Sequence, residues 1–574
     1  MSYESPHVAY YCMEFGLHES LAIYSGGLGV LAGDFLRSAA ALALPVVGVG
    51  IAWAEGYTRQ HIDEHGKVED LPTRLDRTHL HRERPIAHVS IHGRDVPLAI
   101  FRVDAFANAP LYLLEPVEAR DRWITRRLYG GGEDDRVAQE LVLGVGGARA
   151  LEALGVRVDF HHFNEGHAVF AGLELIRRAR ERGASFEAAW AEARERIVFT
   201  THTPVDAGNE KHDLARLQRI GAALGCSHAE LERIGCAPHA PRDKFNMTVA
   251  GLRLASNANA VAELHGATAR EMWRHVDGAA PIGAITNGVD ARVWQDARVR
   301  DAAREGDAAL DDARSRLRRE LLIELELRTG ARLDPERLTI GFARRATAYK
   351  RATLLFHDRP RAERLLDEGR LQLVFAGKSH PRDAGGRALV EEMVALARRH
   401  PGRVVFVPDY DLALGRLLTR GCDVWLNTPR RPLEACGTSG MKAAMNGALN
   451  VSILDGWWVE GCRHGENGWR IGGEPATSAA HTTTTTAPHA AHAPAAPHVA
   501  HADDAAVDAA DAAALHDLLE RDVLPAFYAD RARWRSMMRA SIEMAARDFS
   551  SDRMVRDYFA RLYRPARQRL AATG

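Results

Sequence analysis

Short apolar runs that stop abruptly at glycine or polar residues recur along this 574-residue chain, and they constrain its fold more than any other feature. Val8-Ala9-Tyr10-Tyr11 is followed by a long loop ending in Gly26-Gly27-Leu28-Gly29, a helix pattern over about 30–44, and a second run at 45–50. Runs at 158–163, 197–201 and 281–285 end in Asn164-Glu165-Gly166-His167, His202-Thr203-Pro204 and Thr286-Asn287-Gly288. Runs of this length, bounded by turn residues and separated by helical periodicity, read as strands buried on both faces, with one strand-rich excursion at 58–125. The order strand, loop, helix, strand predicts a doubly wound α/β sheet. Polar residues at the carboxyl ends of such strands are where open sheets of this kind bind ligands.

A second series begins at Leu338-Thr339-Ile340-Gly341-Phe342-Ala343, after a charged helical stretch over 290–337. It continues through runs at 371–376, 404–407, 422–427 and 449–454. A chain of this length holds two or three domains with ample core. Formal net charge is −1, which gives no bulk pull toward nucleic acid or a membrane surface. No segment approaches the ~20 apolar residues of a membrane span, and the N-terminus lacks a signal-like basic and apolar pattern. Six scattered cysteines, without metal spacing or disulfide density, fit a reducing cytoplasm.

The stretch Leu433-Glu434-Ala435-Cys436-Gly437-Thr438-Ser439-Gly440-Met441-Lys442 follows one of the buried runs and leads into an apparent helix start at Ala443. Small residues let the backbone approach a ligand closely, and N–H groups at such a loop suit a phosphate. Of 75 Lys and Arg residues only six are lysine, so arginine serves almost everywhere a plain cation would do. A retained lysine is then a candidate for covalent carbonyl chemistry that a guanidinium cannot perform, although genome composition alone can produce the same bias. A lysine behind a phosphate-cradling loop points to pyridoxal 5′-phosphate (PLP). The loop Arg344-Arg345-Ala346-Thr347-Ala348-Tyr349-Lys350-Arg351 leaves the first strand of the same series. Arg345 offers a fork matched to phosphate oxygens, and Lys350 offers a compact charge.

The segment EACGTSGMKAAMNGAL strongly resembles the PLP-attachment segment of the α-glucan (glycogen, starch, maltodextrin) phosphorylases in their short bacterial and archaeal form. The segments EFGLHESLAIYSGGLGVLAGD, LYGGGEDDRVAQELVLGVGGARAL, FNEGHAVF, THTPVDAGNE, FNMTVAGLRL, ITNGVDARVW and NGALNVSILDGWWVEG match the same family in order. The resemblance implies a GT-B fold, two doubly wound Rossmann-like domains facing across a deep cleft. It implies reversible phosphorolysis of terminal α-1,4-glucosyl units to α-glucose 1-phosphate, with retention. PLP is carried on Lys442, its 5′-phosphate serving as acid and base, and its phosphate is held by Gly437, Thr438 and Ser439 and paired with Arg344. Arg345 and Lys350 hold the reacting phosphate, Lys350 also touching the cofactor phosphate. His202 and Asn287 bond the glucosyl 6-hydroxyl, Glu434 with the Gly437 backbone the 3- and 4-hydroxyls, and Gly26, Gly27 and Leu28 face sugar and phosphate. The small departures Cys436 for serine and Asn259-Ala260 for Asn-Gly leave the class unchanged.

The expected division is a glucan-binding half over 1–290, a PLP- and phosphate-binding half over 291–549, and a last helix over 550–574 returning to the first half. An Ala/Thr/Pro/His tract at about 475–507 cannot build a core and reads as a disordered insertion whose histidine pairs are a weak metal-binding possibility. The chain opens almost at its first strand, so the regulatory extension and allosteric control of longer relatives are not expected. Partners expected are α-1,4-glucan and inorganic phosphate, with no nucleic acid, no membrane and no resident metal; self-association stays open. Three rivals stand beside this reading. A sugar-nucleotide-dependent glucan synthase shares the fold but tends to carry an acidic residue at the place of Lys442. A glycosidase needs two spaced carboxylates, and only Glu434 is an obvious one. An inactive glucan-binding homologue is the third.

Overall fold

A computed structural model describes residues 5–204, 209–238, 241–473 and 502–564. The chain forms two compact units, one of Met1–Thr58, Pro72–Thr286 and Ser551–Gly574, the other of Arg59–Leu71 and Asn287–Ser550.

The first unit is built on a nine-stranded sheet. Its order is Ile282–Ala284, Asn257–Ala260, Ile197–Thr200, Phe160–Asn164, Val8–Tyr11, Val46–Ile51, Leu111–Pro116, Arg94–Val103, His81–Ile91. The first seven strands pair in parallel and the last two add antiparallel. Val8 pairs with Val46 on one side and Phe160 on the other, so the winding reverses at the first strand. The helix after it spans Gly27–Ala41, starting three residues before the expected Val30. Helical chain over 133–153 runs as three joined segments, Glu133–Leu141, a wider turn at Val142–Gly146, and Gly147–Ala153. The chain's closing helix, Ser551–Asp557 and its wider turn Tyr558–Tyr563, buries Met554, Val555, Tyr558, Phe559, Leu562 and Tyr563 in this unit's core. Full burial of side chains such as Met554, Phe559 and Leu562 contributes roughly 1.5–3 kcal/mol each.

The second unit holds a six-stranded sheet in the order Val404–Val407, Leu371–Ala376, Leu338–Ala343, Val424–Asn427, Leu449–Ile453, Gly468–Ile471, parallel throughout. Counted along the chain this is 3-2-1-4-5-6, with reversal between Leu338–Ala343 and Val424–Asn427. The edge strand Gly468–Ile471 escaped sequence reading because its four residues carry an arginine and no alternation.

Three boundaries differ from expectation. Arg59–Leu71, placed by sequence in the first half, is a two-stranded hairpin of the second unit. Charged and polar contacts seat it there: Lys67 Nζ lies 2.6 Å from Glu391, Gln60 N–H donates to Asp409 at 3.0 Å, and Arg387 bonds Asp70 and the Val68 carbonyl. The first unit's long segment ends at Thr286, not 290. The tract at 475–507 lies outside the described residues through 501, but Ala502–Leu518 is helix, so its expected disorder ends earlier than 507.

Candidate active site

In a doubly wound sheet, chain leaving the two strands at the reversal diverges and opens a crevice at their carboxyl ends. In the second unit those strands deliver the arginine-rich loop and the lysine loop. Arg344 follows strand Leu338–Ala343 directly and is buried. Its Nη1 donates to Glu434 Oε2 at 2.6 Å and its Nη2 to Ser439 Oγ at 3.2 Å. The loop turns through Ala348–Lys350 and sends Lys350 Nζ to the same Glu434 Oε2, also at 2.6 Å. One carboxylate oxygen therefore takes two cations.

Burial pushes the Lys350 amine down to about 8, Glu434 opposing the fall while Arg344 and Arg345 add to it. Burial also works against ionised Glu434, yet Lys350 and Arg344 outweigh it and hold the carboxyl below its ordinary value. Three buried polar atoms on these loops and strand ends, Arg344 Nε, Thr347 Oγ1 and Asn427 Oδ1, have no hydrogen-bond partner among the described residues. A buried unpaired group costs about 1–3 kcal/mol, so such atoms together mark a place arranged for something else.

The helix carrying Lys442 spans Ser439–Ala444, so it begins four residues before the expected start at Ala443. Lys442 thus sits within the helix, buried, with Nζ 3.7 Å from the ring centroid of Trp294. Ser439 Oγ also accepts from Trp425 Nε1 at 3.1 Å, fixing the first turn to the strand before it. Gly437 has φ +86°, and a Cβ there would lie 3.3 Å from both Arg344 Nη2 and Glu434 Cγ, so the turn takes glycine for conformation and space. Beneath it, Asp455 accepts the Glu434 N–H at 2.9 Å and the Gly456 N–H at 2.9 Å. Burial, aided by the Glu434 charge, raises the Asp455 carboxyl to about 7 against the two N–H hydrogen bonds, which work to lower it.

In the first unit the reversal lies between Val8–Tyr11 and Phe160–Asn164. Buried Glu14 organises the glycine loop: its Oε2 accepts the Ser25 N–H at 2.5 Å and the Gly26 N–H at 3.1 Å, and Tyr129 O–H donates to Oε1 at 2.9 Å. The helix begins directly after Ser25 and Gly26, at Gly27 followed by Leu28. On the neighbouring strand ends, His202 Nε2 and Asn164 Oδ1 are 2.6 Å apart. The amide oxygen accepts, so Nε2 carries the proton and Nδ1 is left as an acceptor. Glu165, at φ +72°, accepts the His202 N–H at 2.5 Å and the Thr203 hydroxyl at 3.1 Å. Burial, with His265 and His167 nearby, holds the His202 imidazole down at about 3.

The structure thus brings together Arg344, Lys350, Glu434, Gly437 and Ser439, with Lys442 on the helix Ser439 opens, and Arg345 near enough to depress Lys350. Gly26, Gly27, Leu28 and His202 belong to the first unit; Asn287, buried, is the first residue of the second unit's longer segment. Sequence reading passed over Glu14, Asn164, Glu165, Asp455 and Trp294 as working residues. Glu14, Glu165 and Asp455 each stand inside a matched segment, and a carboxylate beside glycines at a strand end was the available signal. Among the described residues one group, Glu140, Glu210 and His212, has metal-compatible spacing, but Arg136 Nε already lies 2.7 Å from Glu210 and 3.6 Å from Glu140. No helix among the described residues is long and apolar enough to cross a membrane.

Residues 308–493 match the family model described as carbohydrate phosphorylase. A glycogen phosphorylase of Mycobacterium tuberculosis (strain ATCC 25618 / H37Rv) is 39% identical over 99% of this chain and 72% of its own length. A maltodextrin phosphorylase of Thermococcus litoralis is 35% identical over 98% of this chain and 71% of its own. A glycogen phosphorylase of Aquifex aeolicus is 32% identical over 98% and 86%. Likeness of this extent, running through both strand-end clusters, makes the chain a member of the α-glucan phosphorylase family.

Proposed function

We propose that this protein is an α-1,4-glucan phosphorylase. It transfers the terminal glucosyl unit of an α-1,4-glucan to inorganic phosphate, giving α-glucose 1-phosphate with retention, and runs the reaction in either direction. The observation that carries this reading is the Arg344–Glu434–Lys350 cluster at the second sheet's reversal, tied through Ser439 to the helix of buried Lys442. The proposed architecture is GT-B, with the two units facing across a cleft.

The donor set fits PLP. A carbonyl-bearing group needs an amine shielded from water, as Lys442 is on the face of Trp294. A phosphate needs donors not already satisfied, and Arg344 Nε is one among the described residues. Lys442 would carry the cofactor, with Arg344, Lys350 and the turn Gly437, Thr438, Ser439 holding its phosphate. When bound, PLP supplies a phosphate monoester with a second pKa of about 6, close to working pH for proton transfer.

The chain's own residues do the rest. Arg345 and Lys350 offset the repulsion of phosphates held close together. Arrival of phosphate competes with Glu434 for Lys350 and leaves that carboxylate, still held by Arg344, with more capacity to accept from the glucosyl 3- and 4-hydroxyls beside the Gly437 backbone. His202, held neutral, presents Nδ1 as an acceptor for the 6-hydroxyl, with Asn287 as its partner there, while Gly26, Gly27 and Leu28 offer backbone to sugar and phosphate. Excluding water from these groups makes phosphate the acceptor. The free cysteines suit a reducing cytoplasm.

The test is the absorption spectrum of freshly purified protein, borohydride trapping at Lys442, and a phosphate-dependent assay for glucose 1-phosphate on maltodextrin. The reading requires bound PLP, a trapped adduct at Lys442, and turnover that Lys442→Ala abolishes. Normal turnover in that variant would overturn it.

A further inference from the structure

The loop bearing Lys350 does not hold its shape alone. Arg351, at φ +47° and almost wholly buried, reaches across to the chain leaving the neighbouring strand. Its Nε donates to the Thr428 carbonyl at 2.8 Å and its Nη2 to the Pro429 carbonyl at 2.9 Å. Thr428 Oγ1 answers with contacts of 3.0 Å to the carbonyls of Lys350 and Arg351, and the Arg430 N–H donates to the Tyr349 carbonyl at 2.7 Å. Every peptide from 349 to 351 is therefore tied to 428–430.

A third element locks this pair. The helix Ala502–Leu518 carries Asp504, Asp508 and Asp511, spaced i, i+4, i+7 on one face. Asp508 Oδ1 lies 2.8 Å from Arg351 Nη1 and Asp511 Oδ2 2.7 Å from Nη2. Arg430 Nη1 meets Asp504 at 2.8 Å and its Nη2 meets Asp508 Oδ2 at 2.6 Å. Asp508 thus bridges both arginines, one from each loop, with one oxygen apiece. Burial works against its ionised form, but the hydrogen bonds from Arg351 and Arg430 outweigh it and keep the carboxyl below its ordinary value. The helix is seated independently: Leu515 is buried, and His516 Nε2 donates to the Leu355 carbonyl at 2.9 Å.

We infer that the acidic face of Ala502–Leu518 is a brace for phosphate binding, with Asp508 and Asp511 as positioning residues that set the Lys350 amine through Arg351 and Arg430. The inference rests on the proposed reading of Lys350 as a phosphate ligand. Guanidinium groups with so little solvent cannot shed their carboxylates without moving, so loss of the aspartates lets the 348–351 turn drift and takes Lys350 with it. Misplacing a binding cation by about an ångström costs one to two orders of magnitude in a reaction that depends on it.

The experiment compares holoenzyme carrying Asp508→Asn with Asp511→Asn against Glu520→Gln. Glu520 makes ion pairs of 2.9 Å to Arg361 and 2.7 Å to Arg364 in the turn after the same helix, away from the two loops. The double variant is expected to raise KM for phosphate roughly tenfold while KM for maltodextrin stays within about twofold. Amides of 346–351 and 428–430 should exchange hydrogen faster in it, and neither effect should appear in Glu520→Gln. Unchanged exchange in the double variant, or an equal rise in phosphate KM in Glu520→Gln, overturns the brace. Should the wild type release no glucose 1-phosphate, the proposed function falls, and the exchange measurement still decides whether the helix holds the loop.

Discussion

The two sheets end in polar clusters of opposite character. At the first sheet's reversal the ionisable rings are neutral: burial holds His161, His162, His167 and His202 each down at about 3 and His265 at about 4. At the second, charge is concentrated, with two cations on one oxygen of Glu434 and Arg345 close by. Neutral imidazoles beside carboxylates already engaged by N–H and O–H donors suit sugar hydroxyls, and a fixed positive array suits phosphate. Under the proposed function, the same strand-end position would serve two ligands according to what is buried around it. The sharpest break of this contrast would be removal of a charge. Arg344→Ala should lower turnover roughly a thousandfold, in line with losing a preorganised donor at a centre of developing charge. Arg344→Lys should recover little, since an ammonium cannot span Glu434 and Ser439 together. If either variant turns over normally in the glucose 1-phosphate assay, the charged cluster is structural only.

Removal of a neutral group should matter less. His202→Ala should reduce kcat/KM for maltodextrin by roughly two- to tenfold, the scale of one neutral hydrogen bond of about 0.5–1.5 kcal/mol. His202→Gln, which keeps an uncharged acceptor, should recover most of it. Because the imidazole is held near 3, no limb of the pH–rate profile between 5 and 8 should belong to His202, and the profile of His202→Gln should match the wild type. A lost limb in that variant would show that the first cluster is charged after all.

The contrast was only half legible in the sequence. Strand positions along the chain and the site-bearing loops were readable, since buried strands announce themselves as runs such as 338–343 and 371–376 and their loops follow at once. Arg344 and Lys350 could be named because a basic loop leaves a strand of this series, whereas Glu434 came only from the resemblance of its segment to a known family. What could not be read was pairing. That Lys350 and Arg344 converge on a single oxygen depends on strand order 3-2-1-4-5-6, which sets 344 beside 434 across 90 residues. The seating of Arg59–Leu71 in the second unit rests on long-range pairs such as Lys67–Glu391, separated by 324 residues. Glu14 and Glu165 were hidden differently. Glu14 acts on backbone N–H groups eleven and twelve residues along its own loop and Glu165 on one 37 residues away, and no residue pattern marks which carboxylate will meet which turn.

Titration sharpens the charged side. Lys350 sits at about 8, so its cationic form is full below that pH and is lost as pH rises through it. The kcat/KM for phosphate should therefore fall above about 8, while KM for maltodextrin stays level across the same range. Glu434 is what holds the amine up against burial and the arginines. In Glu434→Gln that support is gone, so the alkaline limb should move to lower pH. A limb that stays in place, or moves upward, would mean another group governs it.

The smallest effect expected is in the neutral unit, on stability rather than rate. A buried relay runs through the first sheet: Tyr563 O–H donates to His162 Nδ1 at 2.6 Å, His162 Nε2–H to Thr200 Oγ1 at 2.7 Å, and Thr200 to Asn259 Oδ1 at 2.7 Å. Asn259 Nδ2 in turn donates to the Tyr558 hydroxyl oxygen at 3.2 Å, so both ends of the relay lie in the closing helix. The two links at His162 need a neutral imidazole with one donor and one acceptor, the state burial already imposes. Tyr563→Phe keeps the ring and its packing but leaves Nδ1 unsatisfied in a dry core, which costs about 1–3 kcal/mol. Denaturant unfolding should register that loss while turnover changes less than twofold, because His202 draws its own orientation from Asn164 and Glu165. A fall in kcat/KM for maltodextrin as large as that of His202→Ala would instead tie the closing helix to sugar binding, and the first cluster would no longer be separable from the scaffold that carries it.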